Sequence, residues 1–344
     1  MIKAPAFWWD SAPGPAARLL APLGLAYGAV TAWRMARPGA DAGLPVICIG
    51  NLTVGGSGKT PVAMHVARRL LARGERPMFL TRGYGARVTQ PVMVGPSHGA
   101  ADVGDEPLLL ARVARTIVAP DRRAGAALAR EAGASVIIMD DGLQNPSLHK
   151  DLSLAVIEGG TGFGNGMVFP AGPLRAPVER QRAQIDAAIV IGDGQAGLHA
   201  ATRLGDMPVL MARLTPRADI AARLSGQSVI AMAGIGLPDK FVRTLADCGA
   251  QVVGTHFVAD HAPYRTVELM TLSAQAAAIG ALVATTEKDM ARLGPHLPPE
   301  LAGRLVVVPV TLTLAEGDAG LDALLDGLFS NRLARTPDRG GVSA

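Results

Sequence analysis

Short, continuous apolar runs recur along most of the chain, each closed by a glycine-rich or polar turn and followed by apolar side chains at helical spacing. The first run occupies residues 45–49, and 62–71 carries the helical pattern. Further strand-like runs fall at 77–80, 116–119, 136–139, 152–157 and 187–191, with helical stretches at 108–114 and in the alanine-rich segment ending at Ala132. Strands that are apolar throughout are buried on both faces, so the alternation predicts a parallel α/β sheet with sites at the strand C-terminal ends. From about Ser225 the pattern restarts as a second, smaller α/β unit, with strands at 229–233, 252–256, 282–285 and 305–308 and a helix at 239–248.

Before the first strand lies a different pattern. Residues 19–33 contain no charge, Arg18 and Arg34 flank them, and all 3 tryptophans fall at Trp8, Trp9 and Trp33. Tryptophan and arginine favour the water–lipid interface. The run is short for a span of ~20 apolar residues, and Pro22, Gly24 and Gly28 interrupt it. A monotopic helix lying in one leaflet is the leading expectation. A cleaved leader with Lys3 as its basic start, or a helix packed on the protein's own core, are the alternatives.

Composition narrows the chemistry. The 344 residues are 49% hydrophobic and 18% charged, enough for a large core. Two cysteines, Cys48 and Cys248, make no disulfide framework and suit a reducing compartment. A net charge of +4 points to an acidic partner. No basic block with interleaved aromatics supports nucleic acid, which leaves a nucleotide or anionic lipid.

The stretch Gly50-Asn51-Leu52-Thr53-Val54-Gly55-Gly56-Ser57-Gly58-Lys59-Thr60-Pro61 sits between the first strand and the first α/β helix. In that context Gly-Lys-Thr marks a phosphate loop. Amides of the loop, Thr53 through Thr60, would cradle ATP, Lys59 would reach the β- and γ-phosphates, and the Thr60 hydroxyl would ligate Mg²⁺. Thr53 stands where the usual spacing has glycine, so the first turn must be built differently. Asp140 and Asp141 end the 136–139 run as a carboxylate site for Mg²⁺ beside the loop, with either acid open as the ligand. Asp105-Glu106 precedes Pro107; it reads either as helix N-terminal acids or as a general base (Asp105) with a metal contact (Glu106). His261 follows Asp260, and reaching Asp105 across an interdomain cleft would let it orient that acid. Arg122 and Arg175 suit anions bidentately. Gly234-Ile235-Gly236 imitates a dinucleotide fingerprint, but Asp239 replaces its last glycine.

Together with Thr81-Arg82-Gly83-Tyr84-Gly85, Gly104-Asp105-Glu106-Pro107, Asp140-Asp141-Gly142-Leu143-Gln144, Gly164-Asn165-Gly166, Pro170-Ala171-Gly172-Pro173-Leu174-Arg175, Phe257-Val258-Ala259-Asp260-His261 and Thr285-Thr286-Glu287-Lys288-Asp289, the phosphate loop resembles the tetraacyldisaccharide 4'-kinase family of lipid A biosynthesis. The resemblance implies ATP- and Mg²⁺-dependent phosphorylation of the 4'-hydroxyl of a tetraacyldisaccharide 1-phosphate, giving lipid IVA, at the cytoplasmic face of a Gram-negative inner membrane. It implies Asp105 as base, His261 as its partner, Lys59 at the phosphates, and Asp140 or Asp141 with Glu106 and Thr60 near the metal. Arg82, Arg122, Gln144, Asn165 and Arg175 are the candidate substrate-binding residues. The family pattern has histidine where Asn145 stands and glutamate where Ala176 stands, which removes a titrating group and a possible contact to Arg175.

The expected organisation is an α/β fold in four segments: a membrane-associating segment 1–36, a P-loop NTPase-like kinase domain 37–212, a smaller α/β domain 213–330 and a flexible tail 331–344. Two rival functions share the loop. A kinase of a soluble alcohol has no use for the tryptophan-rich segment, and a membrane-surface ATPase switch makes no phosphorylated lipid.

Overall fold

A computed structural model describes residues 4–260, 262–294 and 297–335, with side chains through residue 330. After a 3-10 turn, Ala6–Trp9, the chain forms α1 (Pro15–Met35), β1 (Val46–Gly50), α2 (Lys59–Ala72), β2 (Pro77–Thr81), β3 (Val92–Met93), α3 (Ala100–Val103), α4 (Asp105–Leu110), β4 (Thr116–Val118), α5 (Arg122–Glu131), β5 (Val136–Asp140), β6 (Leu152–Glu158), α6 (Val178–Arg182), β7 (Ala187–Ile191), α7 (Gln195–Thr202) and β8 (Val209–Pro216). There follow α8 (Ala218–Leu224), β9 (Ser228–Ala233), α9 (Pro238–Asp247), β10 (Gln251–Phe257), α10 (Thr266–Ala278), β11 (Leu282–Thr286), α11 (Glu287–Leu293), α12 (Pro299–Ala302), β12 (Leu305–Val308), β13 (Val310–Leu314) and α13 (Ala319–Arg335).

A nine-stranded sheet runs in the order β13-β8-β7-β6-β1-β5-β2-β4-β3, and a four-stranded sheet in the order β10-β9-β11-β12. The small sheet is parallel throughout. The large one is parallel except at its edges, where β3 and β13 pair antiparallel. Strand β1 lies between β5 and β6, so the phosphate loop leaves the middle of the sheet with the acidic end of β5 beside it. Every residue of β1, β2, β5 and β7 is buried, as continuous apolar runs require. Apolar side chains on the two faces of this sheet form separate cores: Cys48, Leu80, Met139 and Val190 on one, Ile47, Val62, Phe79 and Ile189 on the other.

Several expectations need correction. The division at 212/213 cuts through β8, and residues 310–330 do not belong to the small unit. Strand β13 returns to pair with β8, from Val310 opposite Pro216 to Leu314 opposite Ala212, and α13 packs Leu321, Leu325 and Leu328 into the core of the large sheet. Helix α13 continues to Arg335, into the segment expected as tail. Helix α4 begins at Asp105, not after it, so Asp105 and Glu106 form its first turn.

Helix α1 has two unlike faces. Gly24 and Gly28 lie one turn apart against the 168–177 loop, and a Cβ on Gly24 would come within 2.7 Å of the Val168 carbonyl oxygen. These glycines therefore allow close docking. The opposite face presents Leu19, Leu23, Val30 and Trp33 to the exterior, while Tyr27 at its border packs edge-on against Phe169 of the loop. Among the described residues no helix is long and apolar enough to cross a membrane.

Candidate active site

The phosphate loop is built from both ends. At its exit Gly58 caps α2 with φ 83°, where a side chain would be strained and a Cβ would lie 2.6 Å from Ile191 Cδ1. At its entry the loop pairs with the 165–175 segment: Thr53 bridges Leu174 antiparallel, the Val54 amide donates to the Pro173 carbonyl (2.7 Å), and the Arg175 amide donates to the Leu52 carbonyl (2.8 Å). This pairing builds the first turn in the loop that carries Thr53 at the usual glycine position. It also corrects the expectation for Val54, whose amide is engaged and not offered to phosphate. The Thr53 carbonyl accepts from Arg175 Nε (3.0 Å). Gly55 and Gly56 are exposed and open, as amides of a phosphate cradle must be. Buried Asn51 braces the loop by donating to the Gly55 carbonyl (3.1 Å) and accepting from Lys59 Nζ (3.3 Å). Buried Ser57 Oγ has no protein partner, and Thr60 is half-buried in the first turn of α2.

The two acids at the end of β5 differ. Asp141 has φ 52°, its carboxylate receives Arg175 bidentately (2.9 and 3.2 Å), and Lys59 Nζ lies 3.6 Å away. Burial pushes its pKa up, but Lys59 and Arg175 outweigh burial and hold it below the ordinary carboxylate range. Asp140 is buried with one oxygen, Oδ1, lacking any protein partner. Burial first, then the negative charge of Glu106, raises its pKa to about 7. An unpartnered carboxylate oxygen beside a phosphate loop fits a divalent cation. Among the described residues no three Asp, Glu, His or Cys side chains form a ready cage. A Mg²⁺ held by one or two carboxylates and substrate phosphates needs none.

Facing this site across the gap between the sheets is the first turn of α11. The Lys288 ammonium lies 3.2 Å from Glu106 Oε1 and 3.4 Å from Asp260 Oδ1. Burial opposes its charge, yet Glu106, Asp105 and Asp260 together raise its pKa. Arg292, one turn on, donates from Nε to Asp105 Oδ2 (3.1 Å); Asp105 Oδ1 accepts from the Glu106 amide (2.9 Å). A Cβ on Gly236 would stand 3.5 Å from Asp260 and 3.7 Å from the Gly56 amide, so the turn after β9 approaches the phosphate loop at Gly56. The Gly234 amide and carbonyl are held by Asp289 (2.9 Å) and Arg292 (2.8 Å), as a structural turn and not a second nucleotide site. His261 lies outside the described residues.

Of the five candidate substrate-binding residues only Arg82 is exposed at the mouth of the sheet. Arg122 is buried, donates to the Ala119 carbonyl (2.7 Å) and leaves Nε without a partner. Burial lowers its pKa to about 10 while Asp140 supports its charge. Gln144 donates to the Asn51 carbonyl (2.8 Å) and to Gln181 Oε1 (2.7 Å), buttressing the phosphate loop from behind. Arg175 has the same role through Thr53 and Asp141. Asn165 is buried and saturated: Nδ2 donates to the Phe7 (3.1 Å) and Ala171 (3.0 Å) carbonyls, and Oδ1 accepts from the Met167 amide (3.0 Å). Each of these last three is held by protein partners around the phosphate loop and the segment paired with it. Asn145 folds back on the Ser147 amide (2.8 Å), and Ala176 is fully buried.

Sequence reasoning gave Asn51, Gln181, Lys288 and Arg292 no role. Lys288 and Arg292 had a usable signal, two cations one helical turn apart beside an acidic motif. Gln181, fully buried and donating to the Ala176 (2.7 Å) and Leu52 (3.3 Å) carbonyls, had none.

The sequence matches the family described as Tetraacyldisaccharide-1-P 4'-kinase over residues 16–330. Among curated relatives, a Tetraacyldisaccharide 4'-kinase of Methylobacterium sp. (strain 4-46) is 53% identical over 323 residues, covering 93% of this chain and 96% of the relative. That of Rhodopseudomonas palustris (strain BisB18) is 50% identical over 321 residues, covering 92% and 93%. A solved structure of LpxK from Aquifex aeolicus, in complex with ATP, shares the fold with a TM-score of 0.71 at 24% identity, over 91% of this chain and 99% of that one.

Proposed function

Because the chain belongs to the tetraacyldisaccharide-1-P 4'-kinase family, and is an ATP-dependent 4'-kinase of lipid A biosynthesis, we propose how its residues divide the reaction. Gly55 to Thr60 hold the triphosphate of ATP, and Lys59, kept in register by Asn51 and Asp141, neutralises charge on the transferring phosphoryl group. Asp140, with Thr60 and Glu106, would hold Mg²⁺, which would supply charge screening of the phosphate oxygens. Asp141 is assigned to the loop's support. Asp105 takes the proton of the 4'-hydroxyl as its oxygen attacks phosphorus and the bond to ADP breaks. His261 is the expected partner of Asp105. Arg82 receives an anionic group of the disaccharide at the mouth, and Arg122 supports Asp140 from beneath.

The lipid side of the reading rests on α1. Its outward face, Leu19, Leu23, Val30 and Trp33, lies in the surface of the bilayer, on the cytoplasmic face where ATP is present. The Arg37 guanidinium stacks 4.0 Å over the Trp33 ring, a cation and an aromatic suited to the headgroup level. An apolar cleft between α1 and the 166–179 loop, lined by Ala21, Leu25, Met167, Val168 and Val178, offers room for an acyl chain.

The observation that carries the division of roles is the contrast between the two carboxylates, Asp140 with a buried unpartnered oxygen and Asp141 held by two cations. The test pairs two variants. Asp140→Asn should lose the Mg²⁺-dependent part of binding of a fluorescent ATP analogue. Asp105→Asn should bind the analogue normally and lose about 100-fold or more of phosphate transfer to the lipid acceptor. Near-normal turnover by Asp105→Asn, or unchanged Mg²⁺ dependence in Asp140→Asn, would remove the corresponding role.

A further inference from the structure

Asp105 is only 4% exposed, and a carboxylate so placed needs its orientation fixed by protein. Its own helix fixes half of it: Oδ1 accepts from the Glu106 amide at 2.9 Å. The other oxygen is fixed from 187 residues away, by Arg292 Nε at 3.1 Å. Arg292 is itself immobilised. Nη1 donates to the Ala262 carbonyl (3.2 Å), Nη2 to the Gly234 carbonyl (2.8 Å), and Nη2 lies 3.1 Å from Asp289 Oδ1. Asp289 is fully buried and accepts from the Gly234 amide (2.9 Å), the Tyr264 hydroxyl (2.8 Å) and the Thr286 hydroxyl (2.6 Å). A planar guanidinium with each nitrogen assigned cannot turn without breaking several of these bonds. Lys288 differs: it is more exposed than Arg292 and divided between Glu106 and Asp260.

We propose that Arg292 is a positioning residue for phosphoryl transfer. It sets the direction of the Asp105 carboxylate from the opposite unit, and its anchor at Gly234 links that direction to the turn that approaches the phosphate loop at Gly56. The proposal rests on the reading of Asp105 as proton acceptor. A helix-stapling role alone would make Arg292 important for stability and indifferent to Asp105.

The test uses the full chain and the variants Arg292→Met, Arg292→Lys, Asp105→Asn and the double variant Asp105→Asn/Arg292→Met. Turnover and KM for ATP and lipid acceptor are measured beside thermal melting. Arg292→Met should lower kcat about 100-fold, the order expected for a reacting group displaced by an ångström. KM for ATP should stay within about twofold, and Arg292→Lys should recover part of kcat. In the Asp105→Asn background Arg292→Met should remove little more, because the residue it positions is already gone. A double variant that loses the full product of the two single effects overturns the proposal, as does Arg292→Met with wild-type kcat. If Arg292→Met fails to melt cooperatively, Arg292→Lys decides: about a tenfold loss of kcat at an unchanged melting temperature supports positioning, and wild-type kcat overturns it. Near-normal turnover of Asp105→Asn identifies failure of the underlying reading instead.

Discussion

Replacing Asn165 separates a support from a substrate contact. Its side chain makes three hydrogen bonds to main-chain groups of Phe7, Ala171 and Met167, and its amide donates to the Trp8 carbonyl at 2.8 Å. Asn165→Ala removes the three side-chain bonds and leaves two carbonyls and an amide in a closed site. At about 1 kcal/mol for each neutral hydrogen bond, the loss is about 3 kcal/mol. Melting temperature should fall by roughly 5 °C in a chain of this size. Asn165→Asp has the same shape but should be worse at neutral pH. One carboxylate oxygen still accepts from the Met167 amide, while the other meets two carbonyl oxygens that the wild-type amide satisfied, and a charge is buried. Protonation gives back one donor, so Asn165→Asp should improve towards pH 5. The damage should reach ATP, because the same segment pairs with the phosphate loop through Pro173, Leu174 and Arg175. KM for ATP should therefore rise more than KM for the lipid. A variant with wild-type melting and a selective rise in the lipid KM would refute this and restore Asn165 as a substrate contact.

Two more predictions concern the metal acid and the membrane face. Asp140 has its pKa raised from 3.8 to about 7, so its ionised form opposes folding. The sign follows: the apo protein is favoured at low pH and loses stability as pH rises from about 4 to about 7. Binding of Mg²⁺–ADP should release nearly one proton at pH 6 and almost none at pH 8.5, by calorimetry in two buffers of different ionisation enthalpy; equal release at both, or release retained in Asp140→Asn, refutes it. Leu23 and Val30 are 60% and 58% exposed on the outward face of α1. The double substitution Leu23→Glu/Val30→Glu should leave melting unchanged and weaken sedimentation with anionic vesicles about 100-fold, while unaltered partition would refute the anchor.

What the sequence made legible follows from range. Strands buried on both faces are continuous apolar runs, so β1, β2, β5, β6 and β7 could be read locally, as could the phosphate loop with its neighbouring acids. Strand β8 lies next to an edge with a mixed burial pattern, and β13 pairs with it from 94 residues or more away, so neither stands out from its neighbours. The two glycines of α1 illustrate a subtler failure. In isolation they weaken an apolar helix, but with the 168–177 loop behind them they let that helix dock. Cross-unit partners are the least legible class. Glu106 and Lys288 are 182 residues apart, and no local pattern encodes which distant acid a lysine will meet.

Asp140 and Asp141 show the same limit within a single dipeptide. Adjacent in sequence, with identical side chains, they offer local reading no ground for choosing a metal ligand. The backbone sets them apart. Asp140 is the last residue of β5, and its side chain is enclosed by the sheet with an oxygen unpartnered. Asp141 leaves the strand at φ 52°, and that turn delivers its carboxylate to Lys59 and Arg175. Arg175 arrives from the segment that also bridges Thr53, so the residue at the misplaced loop position and the second acid of the pair share one support. A loop entered through that pairing needs no glycine at Thr53, because the neighbouring segment imposes the turn that glycine would otherwise permit.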